Sequence, residues 1–182
     1  MNRESRIQWK GPSWDLRVYP VTRPDGTVLE KGYVDHPGAV VLVPLLGDDV
    51  VMLRQYRFSI DETILELPAG TREREENWLV CAQRELREET GYRASSFISL
   101  GHVWSAPGYS DEVMAIYLAT GLSRDPLKAD FDEIIELQPH PLPELVEMAT
   151  DGRLRDGKSI IGILRAADFL RHHSPSASDS AS

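Results

Sequence analysis

The segment Asn77 to Thr90 constrains the chain more than any other, because it reads as a helix that keeps acids where a helix rarely tolerates them. Leu79, Ala82 and Leu86 recur at helical spacing and mark an apolar stripe facing a core. Glu85, Glu88 and Glu89, three and four positions apart, share one face. At about 100° per residue that face adjoins the stripe, with Glu89 nearly inside it. A solvated acidic face sits more naturally opposite, although spacing alone leaves that reading open. Like charges at this spacing repel, and carboxylates in the last turn oppose the helix dipole at roughly 0.3–1 kcal/mol each. Arg84 and Arg87 answer part of the charge. A divalent cation answers the rest, and magnesium, which is commonly shared between a few carboxylates and substrate phosphates, suits the site best, with manganese as the alternative. Gly91 closes the helix as a left-handed cap.

The rest of the chain reads as short strands and two later helices. Trp14 to Val21 and Val28 to Val34 flank the turn residues Pro24-Asp25-Gly26 and predict a hairpin. Ala39 to Leu46 and Val50 to Tyr56, joined by Gly47-Asp48-Asp49, predict a second and more apolar hairpin. Further strands are expected at Thr63 to Leu67, which runs into Pro68-Ala69-Gly70 and then an acidic loop, and at Phe97 to Trp104, Glu112 to Ala119 and near Ile134 to Gln138. Helices are expected near Pro143 to Thr150 and Ser159 to His172. Strands interleaved with three helices predict an α/β fold, a mixed sheet between helices with an N-terminal antiparallel hairpin. The expected division is residues 1–36 as N-terminal strands, 37–173 as the main domain and 174–182 as a disordered, Ser-rich tail.

A length of 182 residues with 41% hydrophobic content supports one substantial core. The formal net charge of -9 argues against a nucleic-acid binder, which needs a basic footprint. The apolar runs fall short of the roughly 20 residues that cross a bilayer, and the first residues lack a signal-peptide core, so a cytoplasmic location without membrane attachment is expected. The single cysteine, Cys81, reads as a small packing residue.

The segment Gly70 to Tyr92 resembles the Nudix box. Gly70, Glu76, Arg84, Glu85, Leu86, Glu88, Glu89 and Gly91 match its fixed positions, and Tyr92 stands where an aliphatic residue is more usual. Upstream, Gln55-Tyr56-Arg57 and Glu66-Leu67-Pro68-Ala69-Gly70 are similar to the lead into the box of ADP-ribose pyrophosphatases and their nucleotide-sugar relatives. Downstream, Ser105 to Glu112 resembles their Pro-Gly loop, with Ala106 as a departure from its commonest form.

The resemblance implies a Nudix fold and metal-dependent hydrolysis of the pyrophosphate of ADP-ribose or a related nucleoside diphosphate sugar. It implies Glu85 and Glu89 as principal metal ligands, Glu88 as a ligand or water-positioning group, the Ala69 carbonyl as a further ligand, and Arg84 as the residue orienting the carboxylates. Arg57 is the candidate phosphate ligand. Ser105 and Pro107 are candidate substrate contacts. Glu112 and Glu133 are both candidates for the general base, and nothing chooses between them. Trp14, Tyr19 and Tyr33 are candidates to stack on a base or to pack. Relatives are homodimers whose N-terminal strands reach the partner, which makes Lys31 and Asp35 candidate cross-subunit contacts. The alternatives are a Nudix hydrolase of dinucleoside polyphosphates or nucleoside triphosphates and a non-catalytic module that senses nucleotide sugars, although sensors tend to lose box carboxylates that this chain keeps.

Overall fold

The computed structural model describes residues 5–127 and 135–173. Glu133 and the tail 174–182 lie outside these residues. In chain order the elements are β1 (Arg6–Lys10), β2 (Asp15–Thr22), β3 (Val28–Asp35), β4 (Ala39–Leu46), β5 (Asp49–Arg57), β6 (Glu62–Glu66), β7 (Ala69–Thr71), α1 (Trp78–Thr90), β8 (Tyr92–Arg93), β9 (Ser96–Trp104), β10 (Val113–Thr120), β11 (Ser123–Arg124), β12 (Ile135–Pro141), α2 (Leu142–Asp151) and α3 (Gly157–His173). The expected α/β architecture is present, with α1 on one face of a mixed sheet and α2 and α3 on the other.

The N-terminal hairpin forms as expected, and β1 adds a third antiparallel strand to it through β2. Every residue of β1 is exposed, although Arg6-Ile7-Gln8-Trp9-Lys10 alternates polar and apolar side chains as a strand does. This sheet joins the main body through short backbone bonds: Val34 N–H to the Tyr109 carbonyl at 2.8 Å, and Asp111 N–H to the Val34 carbonyl at 3.2 Å.

The main sheet runs β12-β5-β4-β10-β9, with β6 on β5 and β7 on β4. Here the structure corrects the second hairpin. β4 and β5 pair only at Leu45–Val50 and Leu46–Asp49, beside the turn. Beyond Pro44, which has no N–H to donate, they part. β4 pairs in parallel with β10 and antiparallel with β7, while β5 pairs with β12 and β6. Ala69–Thr71, past the strand expected to end near Leu67, is the short strand β7. The parting of β4 and β5 opens the sheet where the site lies.

β4 is buried on both faces, as its unbroken apolar run implies. Val41 and Val43 face α2 and α3 together with Met114, Ile116, Leu118, Leu145 and Ile163, whereas Val40 and Leu42 face α1 with Cys81, Ala82 and Leu86. The α1 stripe differs from the expected one in one residue. Leu79 is exposed, and Trp78 and Cys81 take the core-facing positions around Ala82 and Leu86. Asn77 caps α1, its side chain accepting from Leu79 N–H at 2.9 Å, and Gly91 ends it at φ 70. Helix α3 starts at Gly157, two residues before the expected Ser159, because the Asp156 carboxylate accepts from Ser159 N–H at 3.2 Å. Among the described residues no helix is long and apolar enough to cross a membrane.

Gly162 is where α3 meets the sheet: a Cβ there would lie 2.5 Å from Leu67 Cδ1 and 3.4 Å from Val43 Cγ2. Gly162→Val is expected to destabilise the fold by roughly 1–3 kcal/mol through overpacking. Chemical denaturation would show this as a lower midpoint with an unchanged slope.

Candidate active site

The acidic end of α1 faces β7 and the end of β5. Arg84 organises the acids around it. Its Nε and Nη2 donate to the two Glu76 oxygens at 3.0 and 2.9 Å, while Nη1 donates to Glu85 at 2.6 Å and to Glu88 at 2.8 Å. One guanidinium thus spans three glutamates, which offsets repulsion that the helix alone could not relieve. Glu89 turns to the strand, where its Oε2 accepts from Ala69 N–H at 2.8 Å. Glu85 is buried against Gly70, so closely that a Cβ on residue 70 would sit 1.8 Å from its carboxyl carbon. Glu85, Glu89 and the Ala69–Gly70 backbone are therefore brought together.

Burial pushes the Glu85 carboxyl up to about 7; Arg84 pulls against this, and the neighbouring charges of Glu88 and Glu76 add to it. A carboxylate so placed gains from a cation nearby. Among the described residues no three Asp, Glu, His or Cys side chains form a ready-made metal cage. The oxygens on offer, from Glu85, Glu89 and the Ala69 carbonyl, are hard and few. This set fits magnesium, which keeps waters and shares substrate phosphates instead of filling its coordination from protein alone. It fits zinc poorly, since nitrogen and sulfur donors are missing from it.

Three cavities meet at Arg57. One, of about 500 Å³, is lined by Gly70, Trp104, Ser105, Glu112 and Lys158. A second, of about 600 Å³, contains Arg72, Arg84, Glu85 and Glu89. A third, of about 580 Å³, holds Trp14, His36, Ser105, Tyr109 and Glu112. Pro107 occupies the corner of a turn closed by Tyr109 N–H to the Ala106 carbonyl at 3.0 Å, and Ala106 is thus part of the turn itself. Lys31 is exposed on β3, opposite Tyr19. Asp35 pairs within its own chain, with Arg17 and with Arg74. Tyr19 and Tyr33 pack edge to face at 5.8 Å, whereas Trp14 reaches the third cavity.

Residues 35–161 match the NUDIX domain. The chain belongs to the Nudix family. It is 35% identical over 162 residues to a methanol dehydrogenase activator of Bacillus methanolicus, covering 86% of this chain and 88% of that one. It is 32% identical over 158 residues to an ADP-ribose pyrophosphatase of Bacillus subtilis, covering 85% of each. A solved ADP compounds hydrolase shares the fold with a TM-score of 0.80 at 19% identity, over 94% of both chains.

The Nudix site includes groups to which sequence alone assigned no role. Glu66 is buried yet charged, held bidentate by Arg57 at 2.6 and 2.8 Å and paired with Lys158. Burial pushes its carboxyl up, but the two cations outweigh burial and hold it below the usual range. Arg72 donates to the Pro37 and Glu76 carbonyls and lies 4.4 Å from the Trp78 ring, pinning the loop ahead of α1. Only Glu66 left a local signal, a charge at the end of an apolar strand; its partner Lys158 is 92 residues away.

Proposed function

We propose that this Nudix hydrolase cleaves the diphosphate of ADP-ribose or a related nucleoside diphosphate sugar, releasing a nucleoside monophosphate and a sugar phosphate. The observation that carries this is the convergence of Glu85 and Glu89 on the Ala69–Gly70 backbone, beside a cleft that Arg57 shares with two further cavities. Glu85, Glu89 and the Ala69 carbonyl would hold magnesium, or manganese in its place, with Glu88 on the same helix face. Such an ion neutralises phosphoryl oxygens and lowers the pKa of bound water.

The chain's own residues divide the remaining work. Arg57 offers a planar fork to phosphate oxygens. Arg84 keeps the box carboxylates in place. Glu112 stands on the cleft wall at the start of β10 and is the described candidate to take the proton from the attacking water as a phosphorus–oxygen bond breaks. Trp14 and Tyr109 face one cavity whose aromatic walls suit a nucleobase, and Ser105 borders both arms of the cleft. The B. subtilis relative supports an ADP-ribose-like substrate.

The exposed Ile7, Trp9, Trp14 and Val28 on the N-terminal sheet favour a homodimer in which Lys31 and Asp35 lie near the partner. We place the protein in the cytoplasm, acting on a small molecule and not on nucleic acid, in keeping with its net charge of -9.

A substrate competition tests the assignment. With ADP-ribose, ADP-glucose, GDP-mannose and diadenosine polyphosphates present together, ADP-ribose is expected to be consumed first, by about tenfold or more in kcat/KM. Faster loss of a diadenosine polyphosphate would overturn the substrate and leave the family untouched.

A further inference from the structure

His36 lies between β3 and β4, its imidazole largely buried on the wall of the third cavity, with Nδ1 3.7 Å from Glu112 Oε1. A turn explains part of this: Gly38 N–H donates to Nδ1 at 3.1 Å, a bond that an asparagine carbonyl would accept equally well. Docking of the loop 105–112 does not need the ring. It rests on the two backbone bonds at Val34 and on His36 N–H, which donates to the Asp111 carboxylate at 2.8 Å. What the imidazole adds is an acceptor beside Glu112. An Nδ1 that accepts from Gly38 puts the ring proton on Nε2, so Nδ1 and an ionised Glu112 are two acceptors with no proton between them. Burial pushes the ring's pKa below the ordinary histidine value; Glu112 and Asp111 pull it back up, Arg74 adds to the lowering and Asp35 opposes it. Attraction between the two side chains begins only when Glu112 carries a proton, which it can donate to Nδ1. A partner that binds only the protonated form makes Glu112 a stronger base.

We infer that His36 is a positioning residue for Glu112 and takes over the proton that Glu112 removes from the attacking water. This rests on the diphosphate-cleaving function proposed above and on Glu112 as its base. As the water oxygen bonds to phosphorus, the bridging phosphorus–oxygen bond breaks with its electron pair on the leaving phosphate. The water's proton passes to Glu112 and from there to Nδ1, which exchanges its bond from Gly38 for one to Glu112. Glu112 is thereby ionised again. The imidazolium, which burial makes a good proton donor, then loses its proton to solvent through the cavity.

The test compares the full chain with its His36→Asn variant, which keeps an acceptor for Gly38 and cannot take a proton. With saturating magnesium, kcat for ADP-ribose is expected to fall about tenfold at about pH 8 with KM within about twofold, less than the roughly hundredfold or more that loss of a direct base costs. His36 sets the sign of the pH dependence. As pH falls through its pKa the wild-type ring is already protonated and cannot accept, so the deficit should shrink towards parity at about pH 5. A deficit that is the same at every pH, or no deficit at any pH, would make His36 a turn residue and overturn the inference. If His36→Asn does not fold, nitrogen-15 NMR of labelled wild type and Glu112→Gln, without metal or substrate, decides the matter. The wild-type ring should be the Nε2–H tautomer, and its titration midpoint should drop by about half a pH unit or more in Glu112→Gln. An Nδ1–H tautomer or an unchanged midpoint would overturn the inference. Failure of the substrate assignment reads differently: if another diphosphate is cleaved faster than ADP-ribose, the pH comparison run on that substrate still decides the role of His36. Full activity of Glu112→Gln would remove the base and overturn the inference with it.

Discussion

Glu85→Gln is expected to lower kcat by roughly a thousandfold while leaving the protein folded, because the substitution removes a charge from the group proposed to hold the metal. The carboxyl is buried and its proton is held up to about 7, so keeping it ionised without a cation costs free energy. Gln keeps the shape and removes that cost. Arg84 loses one partner and retains Glu76 and Glu88. The melting temperature without metal is therefore expected to stay level or rise, while activity collapses. Parallel thermal melts and turnover assays check both halves. A variant that loses activity only in proportion to lost structure would point to a packing role for Glu85 instead.

Gly70→Ala should produce the second large effect, by a different route. A Cβ at this position would meet the Glu85 carboxyl carbon at 1.8 Å and both its oxygens within 2.2 Å, distances that no side chain accepts. The obstacle is the end of a flexible side chain, so the fold can answer by swinging Glu85 away. Stability is expected to fall by only about 1–3 kcal/mol. Catalysis is expected to fall roughly a hundredfold or more, since displacing a working group by about an ångström is enough to do so. Metal titration of the variant, with manganese followed by its paramagnetic resonance, should show weakened binding at this site. Activity near that of wild type would mean that Glu85 works from another position.

How much of this was legible in the sequence depended on distance along the chain. The Gly91 cap of α1, the double burial of β4 and the clustering of box acids are local patterns, set by period and by side-chain type within about 20 residues. The parting of β4 from β5 was not legible, because a glycine-containing turn between two apolar runs predicts a hairpin whether or not the strands stay paired. What separates them is β7 on β4 and β6 on β5, which take the edges the two strands would otherwise turn to each other, while β10 and β12 pair with their outer edges. Leu79 misled for a related reason: the helical period allows a stripe centred on Leu79 or on Trp78, and only tertiary packing chooses. In the site, the carboxylates came from one segment and were readable. The Arg57–Glu66–Lys158 array joins two strands to a helix start far away, and no spacing rule connects them.

Product analysis of ADP-ribose incubated with the purified chain, with magnesium and with excess chelator, alongside Glu89→Gln, tests metal-dependent cleavage of the diphosphate. Rapid conversion to AMP and ribose 5-phosphate is expected with magnesium, with that conversion reduced by roughly a hundredfold or more both in chelator and in the variant. Equal turnover in chelator, or full activity of Glu89→Gln, would contradict it.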